Sequence, residues 1–168
     1  EEMAETKEKR EKLTTIVEDL TVKLEKATAT IEKLAAEVKQ LQEELAALAK
    51  LQAEMDKMRR EENATFQTAE ADLSQGLEGV RMALKVLRDY YAKEGDAHGK
   101  AGGAGGGIIG LLEVAESDFT KNLQDVETEE ENAQSEYDRI TKENEITKVT
   151  KEQDVKYKTK EYKGLEKA

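Results

Sequence analysis

The chain contains no cysteine, no proline and no tryptophan in 168 residues, and only 4% of it is aromatic. Each absence removes a class of protein. Without cysteine there is no disulfide framework, no thiolate metal site and no thiol nucleophile, although the redox compartment stays open. Without proline nothing forces a helix to stop, since that residue costs a helix interior about 3 kcal/mol. Few aromatics leave little to fill a thick globular core. No run approaches the roughly 20 apolar residues of a membrane span, so no membrane insertion is expected.

What the chain does have is charge. Asp, Glu, Lys and Arg make up 39% of it, with a formal net charge of −11. That balance argues against nucleic acid, whose phosphates would be repelled. It suits an acidic polymer or a partner for cations. The chain opens Glu-Glu-Met, helical in character, as expected of a processed piece of a longer protein.

So charged a chain would be disordered were its apolar residues not periodic. From Leu13 they recur at heptad spacing. One set reads Val17, Leu24, Ile31, Val38, Leu45, Gln52, Arg59, Phe66, Leu73, Val80 and Leu87. The other reads Leu13, Leu20, Ala27, Leu34, Leu41, Leu48, Met55, Glu62, Ala69, Gly76, Ala83 and Tyr90. A stripe this narrow needs a partner helix and reads as a coiled-coil seam, with Glu and Lys on the solvated face. It weakens at Gln52, Arg59 and Glu62, where a continuous helix whose packing partner changes or loosens is expected. Between Leu73 and Tyr91 a second stripe, Leu73, Leu77, Val80, Leu84, Leu87 and Tyr91, runs beside the first, and Met82 and Val86 widen the apolar surface further. Gly76 and Gly79 there would allow another backbone close, or are simply tolerated in the helix.

Eight of the eleven glycines lie between Gly95 and Gly110, in GDAHGKAGGAGGGIIG. Glycine costs a helix about 1 kcal/mol relative to alanine, so this stretch reads as a non-helical hinge, Gly102 to Gly107 included. Ile108, Ile109, Leu111, Leu112, Val114 and Ala115 restart a helix, which Phe119, Leu123, Val126, Ala133, Tyr137 and Ile140 continue. Ile146, Val149, Val155, Tyr157 and Tyr162 are scattered contacts farther on, and Gly164 is a candidate cap. The expected fold is all-α: long coiled-coil helices forming an antiparallel helical hairpin around the glycine-rich hinge. Residues 1–94 form the first arm, 95–107 the hinge and 108–168 the second arm. The second arm is expected to end near Leu45, leaving the stripe from roughly Leu13 to Leu41 without a partner in the chain. Staggered, open-ended association through that stripe follows.

Motifs for chemistry are weak. Gly105-x-Gly107-x-x-Gly110 matches a dinucleotide fingerprint but follows no strand-like run. His98 is the one histidine and lacks a cysteine or second histidine to share a zinc ion. Glu129-Glu130-Glu131 points in several directions on a helix and would bind calcium at most diffusely, with low affinity. Asn63-Ala-Thr65 is a formal glycosylation acceptor, with a solvated helix position the plainer reading. No catalytic, cofactor-binding or metal-ligating residue is assigned, and an enzyme is the least expected class.

The stretch GLEGVRMALKVLRDYYAKEGDAHGKAGGAGGGIIGLLEVAESDFTKNL resembles a segment of the trichocyst matrix proteins of protists, dinoflagellate versions above all. AQSEYDRITKENEITKVTKEQDVKYKTKE is similar to the same family. The resemblance covers roughly Leu73 to Ala168, with GGGIIGLLEVAESDF its sharpest motif. It implies acidic, helical, proteolytically matured subunits that pack into a paracrystalline rod in a secretory granule, extracellular after discharge, with calcium implicated in expansion. Partners would be the chain itself and related coiled-coil chains. The alternative is an intracellular cytoskeletal or scaffold coiled coil.

Overall fold

A computed structural model describes residues 2–94 and 102–167, all but the last two of them in two helices. Helix α1 runs Glu2–Glu94 and helix α2 runs Gly102–Leu165, of 93 and 64 residues. Ala, Leu, Glu, Lys and Gln, the residues that lose least in a helix, make up most of α1, whereas α2 carries fewer of them and more Gly and Thr. Threonines within them return their hydroxyls to the carbonyl four residues back, as Thr21 does to Val17 at 2.8 Å. The helices divide into two compact units, one of Glu1–Gln52 with Lys142–Ala168 and one of Ala53–Thr141.

In the unit of Ala53–Thr141 the helices pair antiparallel. Arg88 meets Glu113 at 2.6 Å, Arg81 meets Glu116 at 2.8 Å, and Asn63 meets Glu130 at 2.7 Å. Leu77 and Leu84 are buried here, Leu84 at 1% exposure, with Leu73, Val80, Leu87 and Tyr91 half-buried beside them. Both stripes are covered here, since Ala69, Gly76 and Ala83 of the first are half-buried too. Asn63 and Tyr91 are covered where the strict heptad places Glu62 and Tyr90. A helix of 3.6 residues per turn drifts against a seven-residue repeat, which moves the covered face by one position. Met82 and Val86 stay more than half exposed.

The unit of Glu1–Gln52 with Lys142–Ala168 is also an antiparallel pair. Gln52 accepts from Asn144 at 2.8 Å, Glu44 pairs with Lys151, and Glu37 pairs with Lys158 at 2.6 Å. Leu34 and Val38 are buried, and Ile31, Leu41, Leu45 and Leu48 are half-buried. Every residue from Glu2 to Lys26 is exposed. The uncovered stretch thus ends near Ala27 rather than Leu41, and α2 runs well past Leu45.

The reason is length. The sequence reading starts the second helix at Ile108, whereas α2 begins at Gly102, so Gly102 to Gly107 are helical. Five glycines among the six residues 102–107 can be carried when an apolar turn, Ile109 and Leu112 among it, anchors the next one. Residues 95–101 of the proposed hinge, His98 included, lie outside the described residues. Gly164 is inside α2, and no described glycine has positive φ, so it is not a left-handed cap. Ile146, Val149 and Tyr157 are exposed, not contacts; Val155 and Tyr162 are half-buried.

The two helical glycines differ. A Cβ on Gly76 would lie 2.8 Å from the Phe119 ring, whereas one on Gly79 would meet nothing within 4 Å. Gly79→Ala is expected to raise stability by about 1 kcal/mol in denaturant unfolding. Gly76→Ala should lose that gain because the ring must move, and Gly76→Ala combined with Phe119→Leu should recover it.

Candidate functional site: polar seam and uncovered apolar surfaces

The motifs singled out in the sequence are not gathered by the fold. Gly105, Gly107 and Gly110 lie on α2, with no strand among the described residues. Of the three consecutive glutamates only Glu130 turns toward α1; Glu129 and Glu131 are exposed. Among the described residues no three His, Asp or Glu side chains converge as a metal site would need. Asn63 is half-buried and its amide nitrogen, the atom a glycan would need, donates to Glu130 at 2.7 Å. Asn63 is thus a bonded seam residue rather than the solvated position that the plainer reading expected.

What replaces them is a polar stretch of the seam. Arg59 is 7% exposed, the one buried charged residue among those described. Its guanidinium donates to Glu130, to Glu62 at 3.1 Å and to Gln134 at 3.3 Å. The bond to Glu130 holds that carboxyl below the usual range and raises Arg59 above its own. One turn away Tyr137 donates to Asp56 at 2.9 Å, which raises the phenol. Arg59 occupies a seam position the heptad count had already assigned to it. Its partner Glu130 fills the gap between Val126 and Ala133 in the spacing along α2, so periodicity pointed to it although hydropathy did not.

Two apolar surfaces remain uncovered. In the unit of Glu1–Gln52 with Lys142–Ala168, Leu13, Ile16, Val17, Leu20 and Leu24 are each more than half exposed. In the unit of Ala53–Thr141, Met82, Val86 and Tyr90 on α1 and Leu111 and Val114 on α2 are likewise open to water. Neither helix is long and apolar enough to cross a membrane over the described residues. No known protein family, curated protein or solved structure matches the chain.

Truncating one partner of a covered ion pair strands the other. Arg59→Leu is expected to cost about 1–3 kcal/mol in chemical denaturation, with most of it recovered in the Arg59→Leu, Glu130→Leu double variant.

Acid should act on the same pairs. Lys158, Lys151 and Arg59 hold Glu37, Glu44 and Glu130 below the ordinary carboxylate value. A depressed carboxylate stabilises the fold above its unfolded pKa, about 4.3, and that contribution fades as pH falls through the lower folded values. Circular-dichroism melts are expected to hold to about pH 5 and decline below about pH 4. The Glu37→Gln, Glu44→Gln, Glu130→Gln variant should decline less steeply. Relief of net negative charge acts on both proteins, though less on the variant, which has three fewer acids to protonate.

Proposed function

We propose that this chain is a structural, self-assembling protein that packs through coiled coils into a filamentous or paracrystalline array. The observation that carries the reading is the stripe Leu13, Val17, Leu20, Leu24, more than half exposed on a helix whose next turns are covered at the same spacing. An exposed apolar stripe several turns long is a liability unless it is a contact surface. A second uncovered surface around Met82, Val86 and Leu111 supports an array over a single closed contact.

Within that class, the likeness of residues 73–168 to trichocyst matrix proteins points to a subunit of an extrusive secretory organelle, released from the granule lumen on discharge. No catalytic step is assigned to it. Its partners would be copies of itself and related chains, and its many acidic side chains would take up calcium only diffusely.

Leu13→Asp, Leu20→Asp and Leu24→Asp together are expected to leave the melting of the helix pairs unchanged, because none of the three touches α2. The same change should abolish large assemblies in light scattering and negative-stain images. Arrays that persist in the triple variant would exclude the stripe as the contact.

A further inference from the structure

We propose that the stripe from Leu13 to Leu24 of one copy lies along the Gly79 to Tyr90 line of the next, with the two α1 helices parallel. The inference rests on the self-assembly reading above and specifies its contact. Each copy offers both surfaces and uses each once, so the contact is heterologous and open-ended.

The two surfaces share one spacing. Shifted by 66 residues, Leu13, Ile16, Leu20 and Leu24 come level with Gly79, Met82, Val86 and Tyr90. Apart from Gly79, each of these is a large apolar residue more than half exposed. A Cβ on Gly79 would meet nothing within 4 Å, which leaves room for Leu13. Val86 and Leu111 each stand two residues before a member of the Arg88–Glu113 ion pair, a turn of about 200° on either helix. Both therefore lie on the side of the helix pair that this bridge leaves open, and Leu111 comes level with Tyr90.

The direction follows from where α2 lies. Glu37 pairs with Lys158, so Leu165, the last residue of α2, comes level with Thr30. Beyond Thr30 the stripe face of α1 is taken, and Leu34 and Val38 are buried on it. In the parallel alignment Thr28 reaches the level of Glu94, where the neighbour's α1 ends. The covered part of one chain thus begins where the other's helix stops, and the neighbour's α1 takes over the face that α2 leaves. The reverse alignment also satisfies the spacing, with Leu13 against Tyr90 and Leu24 against Gly79. It would set residues 28–35 against 68–75 of the neighbour, with α2 already between them.

Charge agrees with the parallel alignment. Lys9, Lys12 and Lys23 share one flank of the stripe, and that flank turns toward the neighbour's α2. Residues 113–131 of α2 carry eight acids and one lysine. Asp118 is exposed and lies two residues past Glu116, which Arg81 meets. It is therefore level with Gly79, within a residue of where Lys12 of the docked copy comes to lie.

Leu20→Asp and Val86→Asp disable the two surfaces separately. Each full-length variant is expected to sediment as a monomer at concentrations where the parent assembles. Their mixture should form a 1:1 complex that grows no further, since one intact stripe meets one intact line. Circular dichroism of each should match the parent, because both side chains are exposed. Variants that each self-associate, stripe to stripe or line to line, overturn the proposal while leaving self-assembly standing, as does a mixture that stays monomeric. Direction is read with cysteines placed in a chain that has none. Leu24→Cys and Tyr90→Cys chains, mixed and mildly oxidised, should link at least several-fold more than Leu13→Cys with Tyr90→Cys, whose sites stand about 16 Å apart along the axis. An equal or opposite preference overturns the parallel alignment. A parent chain that sediments as a monomer at tens of micromolar overturns both the contact and the self-assembly reading.

Discussion

An apolar stripe that repeats every three or four residues can leave water only when another helix lies along it. In each unit of this chain the covered positions on α1 are matched by covered positions on α2, and little else is buried. Leu34, Val38, Leu77 and Leu84 are the only buried apolar side chains among the described residues, and of these Leu84 alone is fully covered. Packing of this kind has no deep core to fix it. Its strength is a sum over many half-covered side chains, each contributing part of the roughly 1.5–3 kcal/mol that full burial of a large aliphatic side chain would give.

A repeating stripe also matches itself after a slip of one heptad, so apolar contact alone leaves register loose. Charge supplies what hydrophobicity does not. In the unit of Ala53–Thr141 the cations sit on α1 and the acids on α2, as Arg59, Arg81 and Arg88 meet Glu130, Glu116 and Glu113. In the other unit the acids are on α1 and the lysines on α2. Exposed pairs of this sort add about 0–1 kcal/mol each, too little to decide whether the helices pair. Their order of sign decides which partner and which register. Arg59 adds a stricter condition, because a slipped register would leave its buried guanidinium without Glu130.

The positions that periodicity assigned on α1 were legible over the covered stretch from Ala27 to Leu87, Glu62 apart, even at Gln52 and Arg59, where hydropathy had faded but the spacing had not. The all-helical antiparallel pairing was legible too, from the missing proline and the two apolar stripes. Two things were not. Helix in the glycines from Gly102 was hidden because propensity is a local sum, whereas a helix end is set by the packed turn next to it. The covered face of the last part of α2 was hidden because the facing helix, not hydropathy, selects it. Lys151, Lys158 and Thr159 are half-buried there while Ile146, Val149 and Tyr157 are exposed. Both errors moved the end of the uncovered stripe, from Ala27 to Leu41.

A two-helix pair covers one side of each helix and leaves the other to solvent. Most of that outer surface here is charged, as a solitary pair would require. The exceptions cluster. Met82, Val86 and Tyr90 recur four apart on α1, a spacing that places them along a single line on the helix. Random surface leucines and valines need no explanation, but aligned ones mark a face that a further helix could cover. Gly79 extends the line by one turn, and its open surroundings let a neighbouring backbone approach without a side chain between. On the structural reading proposed above, this line is a second place, besides the Leu13 to Leu24 stripe, where a neighbouring helix would dock. Lines of this kind are where a pair of helices can take on a further helix without disturbing the seam it already has.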